Sequence, residues 1–153
     1  MTYTLDTNIL IKLKNEYPRD IFESIWSALE QAIDDGVVCA CTSVLDELDN
    51  YGDHLHEWAK TYPGFVCPLT QAEVDLAAKI AAQYEDWARD EKNAADPFVV
   101  AHAVTHKRQI VSNESRAGDN VTDRNQKIPN VAEPYGVTTY SLFDWLRLIK
   151  WTF

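Results

Sequence analysis

A short apolar run that ends on an acid opens the chain: Tyr3-Thr4-Leu5-Asp6-Thr7-Asn8-Ile9-Leu10-Ile11. It reads as a buried strand with more apolar residues directly after it. That restricts the fold, because a carboxylate so close to a core strand must be solvated, hydrogen-bonded or neutralised by a cation. Asp-Thr-Asn at a strand end also suits an Asx turn into a helix, since those side chains bond their own backbone. Taken alone, the segment leaves both readings open.

Further along, apolar runs of strand length alternate with helical periodicity. Ile21, Phe22, Ile25, Trp26, Leu29 and Ile33 recur at helical spacing up to Gly36, which suits a C-cap. Val37-Val38-Cys39-Ala40-Cys41 reads as a buried strand, and Thr42 or Ser43 as the cap of a helix carrying Asp46, Glu47 and Asp49. Asn50-Tyr51-Gly52 breaks that helix, and a second piece runs through Leu55 and Trp58 to Pro63-Gly64. Phe65-Val66-Cys67 is a short strand. Thr70 with Glu73 forms a capping box for a long helix ending near Glu91, with Val74, Ala77, Ala81, Tyr84 and Ala88 as its core stripe. Asp96-Pro97 opens a helix that turns Val99, Val100, Ala103 and Val104 inward, and Gln109-Ile110-Val111-Ser112 is a strand followed by Asn113-Glu114. Ser115 to Pro134 is polar and aperiodic, too long for an ordinary connection and expected to be a mobile or functional loop. Val137-Thr138-Thr139 is the last strand, and Ser141 with Asp144 caps a final helix through Leu142, Phe143, Leu146 and Ile149.

Strands alternating with helices imply an α/β fold, with a mostly parallel sheet covered on both faces. At 153 residues the chain makes one domain, 1–153. No apolar run reaches the length of a membrane span, and the N-terminus lacks a basic segment followed by a hydrophobic stretch, so a cytosolic protein is expected. The net charge of −10 argues against a broad nucleic-acid surface, yet permits a small acidic site where a metal supplies the positive charge. Cys39, Cys41 and Cys67 lack paired metal-ligand spacing and read as reduced, buried thiols.

Functional residues of such sheets gather beyond the carboxyl ends of the strands. Asp6 and Glu114 fall on that edge, and the helix starts near Glu47 and Asp96 face it. On the helix of Val44, Leu45 and Leu48, Asp46 falls opposite the buried stripe and is a surface charge, while Glu47 and Asp49 flank it equally. Asp96 before Pro97 also fits a plain helix cap, and Glu114 a solvated loop acid. If these carboxylates converge they need a cation, and oxygen-only ligands suit Mg²⁺ or Mn²⁺.

Leu5-Asp6-Thr7-Asn8, Val44-Leu45-Asp46-Glu47-Leu48, Ala95-Asp96-Pro97-Phe98-Val99-Val100-Ala101 and Ile110-Val111-Ser112-Asn113-Glu114 resemble, in order, the four acidic motifs of PIN-domain ribonucleases. Lys127-Ile128-Pro129-Asn130-Val131, Tyr135-Gly136-Val137 and Ser141-Leu142-Phe143 resemble a PIN-like subfamily grouped with toxin nucleases of the VapC kind. The resemblance implies a three-layer α/β/α domain that cleaves single-stranded RNA with Mg²⁺ or Mn²⁺. It implies an acidic cluster of Asp6, Glu47, Asp96 and Glu114, with Asn8 and Ser112 in support. It further implies a homodimer and a cognate antitoxin that blocks the site. Glu114 stands where Asp is commoner, which leaves Asp119 and Asp123 as competitors. Lys12, Lys14, Arg116, Arg124 and Lys127, read as loop residues near the motifs, could hold phosphates or be scattered surface charges.

His102 and His106 stand at i, i+4, as zinc ligands sometimes do, but without a metalloprotease glutamate or an evident third ligand. They read as edge residues of a packed helix. His54 and His56 flank a helix start and suggest nothing stronger. Asp6-Thr7-Asn8 also resembles the nucleophile loop of haloacid-dehalogenase-like phosphatases, although Asn8 stands where a second Asp is usual and no lysine motif matches. A PIN-like module that has lost catalysis and binds proteins is the remaining alternative.

Overall fold

Tyr3, Thr4 and Leu5, all buried, form β1 (Tyr3–Leu5) in the computed structural model of the chain, which describes residues 1–50, 54–89 and 93–153. Successive side chains of a strand point to opposite faces, so an unbroken buried run requires cover on both. On one face Tyr3 packs edge-on against Trp145, with ring centroids 5.7 Å apart. On the other, the Thr4 hydroxyl meets His102 Nδ1 at 2.8 Å.

β2 (Val38–Cys39), β3 (Gln109–Val111) and β4 (Thr139–Tyr140) join β1 in a sheet of order β2-β1-β3-β4, parallel throughout. Helices flank it: α1 (Thr7–Glu16), α2 (Glu23–Asp34), α3 (Thr42–Asn50), α4 (His54–Lys60), α5 (Gln71–Gln83), α6 (Glu85–Arg89), α7 (Asp96–Thr105), α8 (Ile128–Ala132) and α9 (Leu142–Leu148). This is the expected three-layer α/β/α arrangement. Among the described residues no helix is long and apolar enough to cross a membrane.

Several local expectations hold. Gly36 (φ +71°) follows α2 with its amide on the Ile33 carbonyl and that of Val37 on Ala32, a left-handed C-terminal closure that glycine adopts without strain. Thr70 Oγ1 accepts the Glu73 amide at 3.2 Å, and Ser141 Oγ accepts that of Asp144 at 3.2 Å.

Others are corrected. Ile21 precedes α2 and is 71% exposed, so the stripe starts later. Phe65-Val66-Cys67 is reduced to a single bridge, Ala40 to Val66. Thr42 lies inside α3 and spends its hydroxyl on the Cys67 carbonyl, so neither it nor Ser43 caps the helix start. The long helix after Thr70 is interrupted at Tyr84 (φ −125°, ψ 61°) and continues as α6. Its inward face runs through Glu73, Ala77, Ile80 and Trp87: Ala77 is buried as expected, while Glu73, Ile80 and Trp87 take the places expected of Val74, Ala81 and Ala88, and the buried Glu73 carboxylate bonds His106 Nε2 at 2.7 Å. Residues 115–134 are not a bare loop: they hold α8 and two 3₁₀ turns, anchored by buried Ile128, Val131 and Ala132. The last strand lies two residues later than its expected start, at Thr139–Tyr140, and α9 buries Leu142 and Trp145 while Phe143 is 46% exposed. The expected break at Tyr51-Gly52 and helix end at Glu91 lie outside the described residues.

Candidate functional site

Parallel strands in register deliver their next residues to one edge. Leu5 pairs with Val111, so Asp6 and Ser112 emerge side by side. Asp6 leads into α1 with extended backbone (φ −83°, ψ 152°) but its side chain makes no capping hydrogen bond to that helix. Its Oδ2 instead accepts the Ser112 hydroxyl at 2.7 Å. Ser112 Oγ in turn accepts Asn8 Nδ2 at 3.1 Å and the Glu114 amide at 3.2 Å. Asn8 Oδ1 takes the Asn113 amide at 3.1 Å, which ties the start of α1 to the end of β3.

A cleft of about 300 Å³ opens over this edge, lined by Asp6, Thr7, Asn8, Glu47, Asn93, Asp96, Glu114 and Lys127. All four expected acids, from four distant parts of the chain, therefore share it. Glu47 is separated from Asp49 here: its carboxylate accepts the Thr7 hydroxyl, while Asp49 is exposed beside His56 at 3.5 Å. Asp46 is exposed, as its place on the helix predicts. Glu114 Oε2 accepts the Ile128 amide at 2.7 Å, fixing it over the cleft. Its competitors do not line the cleft, and Asp119 pairs with Arg116 at 2.7 Å.

Asp96 is not the helix cap its sequence suggests. It is the first residue of α7, Ala95 takes the cap position, and Asp96 is only 6% exposed. Among the described residues its Oδ2 is buried without a hydrogen-bond partner. Trp87 Nε1, Thr139 Oγ1 and Trp145 Nε1 are likewise unpartnered, but they are neutral. A buried carboxylate oxygen is the costly case.

The electrostatics follow from this crowding. Burial pushes the Asp96 carboxyl up to about 9, and the charges of Asp6, Glu114 and Glu47 push the same way against a smaller opposing pull from Lys127. Burial likewise raises Asp6 to about 7, opposed by the hydrogen bond from Ser112 and reinforced by Glu114 and Glu47. Glu47 is raised by burial, offset in part by Thr7. A divalent cation would oppose all three shifts, and the unpartnered oxygen of Asp96 is a donor that such an ion could use.

Of the expected phosphate-holding cations, Lys127 lines the cleft. Lys12 and Lys14 sit on α1 rather than in a loop, and Lys12 pairs with Glu16 at 3.3 Å. Arg116 is engaged by Glu133 and Asp119, each at 2.7 Å. Thr7 and Asn93 were not expected in the site. Thr7 lies beside Asp6 in sequence and Asn93 three residues before Asp96, and that nearness is the available signal.

His102 is no edge residue: it is fully buried under the sheet, with Cys39 Sγ 3.8 Å from its Nε2. The thiols are free, and Cys67 is only half-buried where a buried residue was expected. No curated protein matches the chain. Residues 3–153 match the family described as "Domain of unknown function (DUF4411)", and the chain belongs to that family.

Proposed function

We propose that the cleft is the active site of a metal-dependent endoribonuclease that cleaves single-stranded RNA, the toxin of a toxin–antitoxin pair. The observation that carries the metal site is that Asp6, Glu47, Asp96 and Glu114 line one cleft, where Asp96 also has a buried oxygen without a partner among the described residues. RNA as substrate rests on the resemblance of the four motifs to PIN-domain ribonucleases, as do the homodimer and the antitoxin that would cover the cleft.

In this reading Asp6, Glu47, Asp96 and Glu114 hold Mg²⁺ or Mn²⁺. Such an ion supplies Lewis-acid chemistry, making a water acidic and offsetting charge on phosphate oxygens. The protein supplies position. Ser112 and Asn8 fix Asp6, Thr7 fixes Glu47, and the Ile128 amide fixes Glu114. Lys127 offers a point charge for the scissile or a neighbouring phosphate. Asp6 and Asp96 must surrender their protons when the ion enters, so loading releases protons and weakens in acid.

Cleavage of unstructured RNA with Mn²⁺, Mg²⁺ or EDTA, by wild type and Asp96→Asn purified in parallel, is the test. Manganese-dependent cutting absent from the variant is expected. If neither protein cuts RNA while Mn²⁺ still raises the wild-type melting temperature, the metal site stands and the RNA substrate does not. Hydrolysis of phosphomonoesters instead would favour the phosphatase reading. Neither cleavage nor stabilisation would favour a catalytically degenerate binding module, for which the net charge of −10 suits a basic protein partner.

A further inference from the structure

A second group of ligand atoms lies away from the acidic cleft, between the sheet and α7. The Sγ atoms of Cys39 and Cys67 and a ring nitrogen of His102 all lie within 4.8 Å of one another. Cys39 ends β2, Cys67 follows the Val66 bridge, and His102 lies mid-way along α7, so three separate segments meet there. The geometry points to a soft-metal site, a Zn²⁺ centre ligated by Cys39, Cys67 and His102.

Distances and surroundings both fit. A tetrahedral zinc with bonds of about 2.3 Å to sulfur and about 2.0 Å to nitrogen needs ligand atoms roughly 3.5–3.8 Å apart. Cys39 Sγ and His102 Nε2 already stand at 3.8 Å. Ligating histidines are held by their other ring nitrogen, and Thr4 Oγ1 meets His102 Nδ1 at 2.8 Å. With Nδ1–H donated to Thr4, the Nε2 lone pair faces the sulfurs. Cys67 is half-buried and gives the ion its entry path and a side open to a water as fourth ligand. The oxygen-lined cleft and this sulfur–nitrogen group would thus take different ions, as hard and soft ligands do. His102 is six residues beyond Asp96 on the same helix, about 9 Å along its axis, so the two sites are distinct.

Titration of the reduced, full-length chain with Co²⁺ tests this. One Co²⁺ per chain giving a thiolate-to-cobalt charge-transfer band and tetrahedral d–d bands is expected. The charge-transfer band should be lost in Cys67→Ser and kept in Asp96→Asn, which separates this site from the cleft. As a check that needs no variant, Zn²⁺ should slow alkylation of Cys67 by about tenfold, because a ligated thiolate is withdrawn from reaction. Absence of the band in wild type, its persistence in folded Cys67→Ser, or an unchanged alkylation rate would overturn the assignment.

Discussion

The Ser112 hydroxyl donates to Asp6 Oδ2 at 2.7 Å, joining residues 106 positions apart. Ser112 Oγ itself receives the Asn8 side-chain amide and the Glu114 backbone amide. One small side chain thus fixes two acids and the start of α1. Ser112→Ala leaves these groups unpaired in a buried place. It should cost roughly 1–3 kcal/mol in urea unfolding and, as a supporting contact, about 10–100-fold in Mn²⁺-dependent cleavage. Unaltered cleavage by the folded variant would show that the hydroxyl positions nothing.

Asp96 and Asp6, raised to about 9 and about 7 from an ordinary 3.8, keep protons in the folded state that the unfolded chain has already lost. When the native state binds more protons, stability falls as pH rises. Melting temperature in EDTA should therefore fall from about pH 4 through 7 and onward to 9, the window set by those two values. Asp96→Asn should flatten the upper part of that fall. At about pH 8 it should be more stable than wild type by roughly 1–2 kcal/mol, about 3–6 °C for a chain of this size. Mn²⁺ should remove the slope in wild type. A level melting curve across the window would mean that both acids ionise in the fold without cost.

Glu47 and Asp49 lie two positions apart on α3 yet face different surroundings. Glu47→Gln removes a cleft carboxylate and should lower cleavage by at least about a hundredfold, in the range of a lost transition-state contact. Asp49→Asn, on the exposed side, should stay within about twofold of wild type and shift stability by less than about 0.5 kcal/mol. Equal losses in a side-by-side rate assay would contradict the assignment of Glu47.

Lys127 lines the acidic cleft and opposes the rise of Asp96. Lys127→Ala should weaken RNA binding with little effect on the bond-breaking step. A KM about tenfold higher, kcat within about twofold, and a shallower dependence of binding on salt would be the signature of a lost phosphate contact. A lower kcat at unchanged KM would place the residue at the reacting atoms instead.

The strands were legible because a sheet covered on both faces leaves short, mainly apolar runs, as at Tyr3–Leu5 and Ile110-Val111. The meeting of the acids followed from the rule that parallel strands end at one edge. What failed was inference from polarity to exposure. Glu73 and His102 are polar and buried, each held by a partner more than thirty positions away, so local pattern left Glu73 off the inward face of α5 and put His102 at the edge of α7, although Val99, Val100 and Ala103 do turn inward as expected. Asp96 resembles a cap because Asp-Pro is a common cap sequence, and its place inside α7, its burial and its unpartnered oxygen distinguish it. α8 escaped notice because one five-residue helix has too few positions to display a period.

The ladder between β1 and β3 holds just three rungs, Tyr3 with Gln109, Thr4 with Ile110 and Leu5 with Val111. It works as a vernier: the count of residues on each rail decides which side chains arrive together at the rim. Adding one residue to β1 would turn Asp6 to the opposite face and set a different side chain against Ser112. The same addition among exposed residues 118–120 would move no rung. Length is therefore a fixed quantity in the first six residues, which end at the cleft, and a free one in that surface turn, which does not line it.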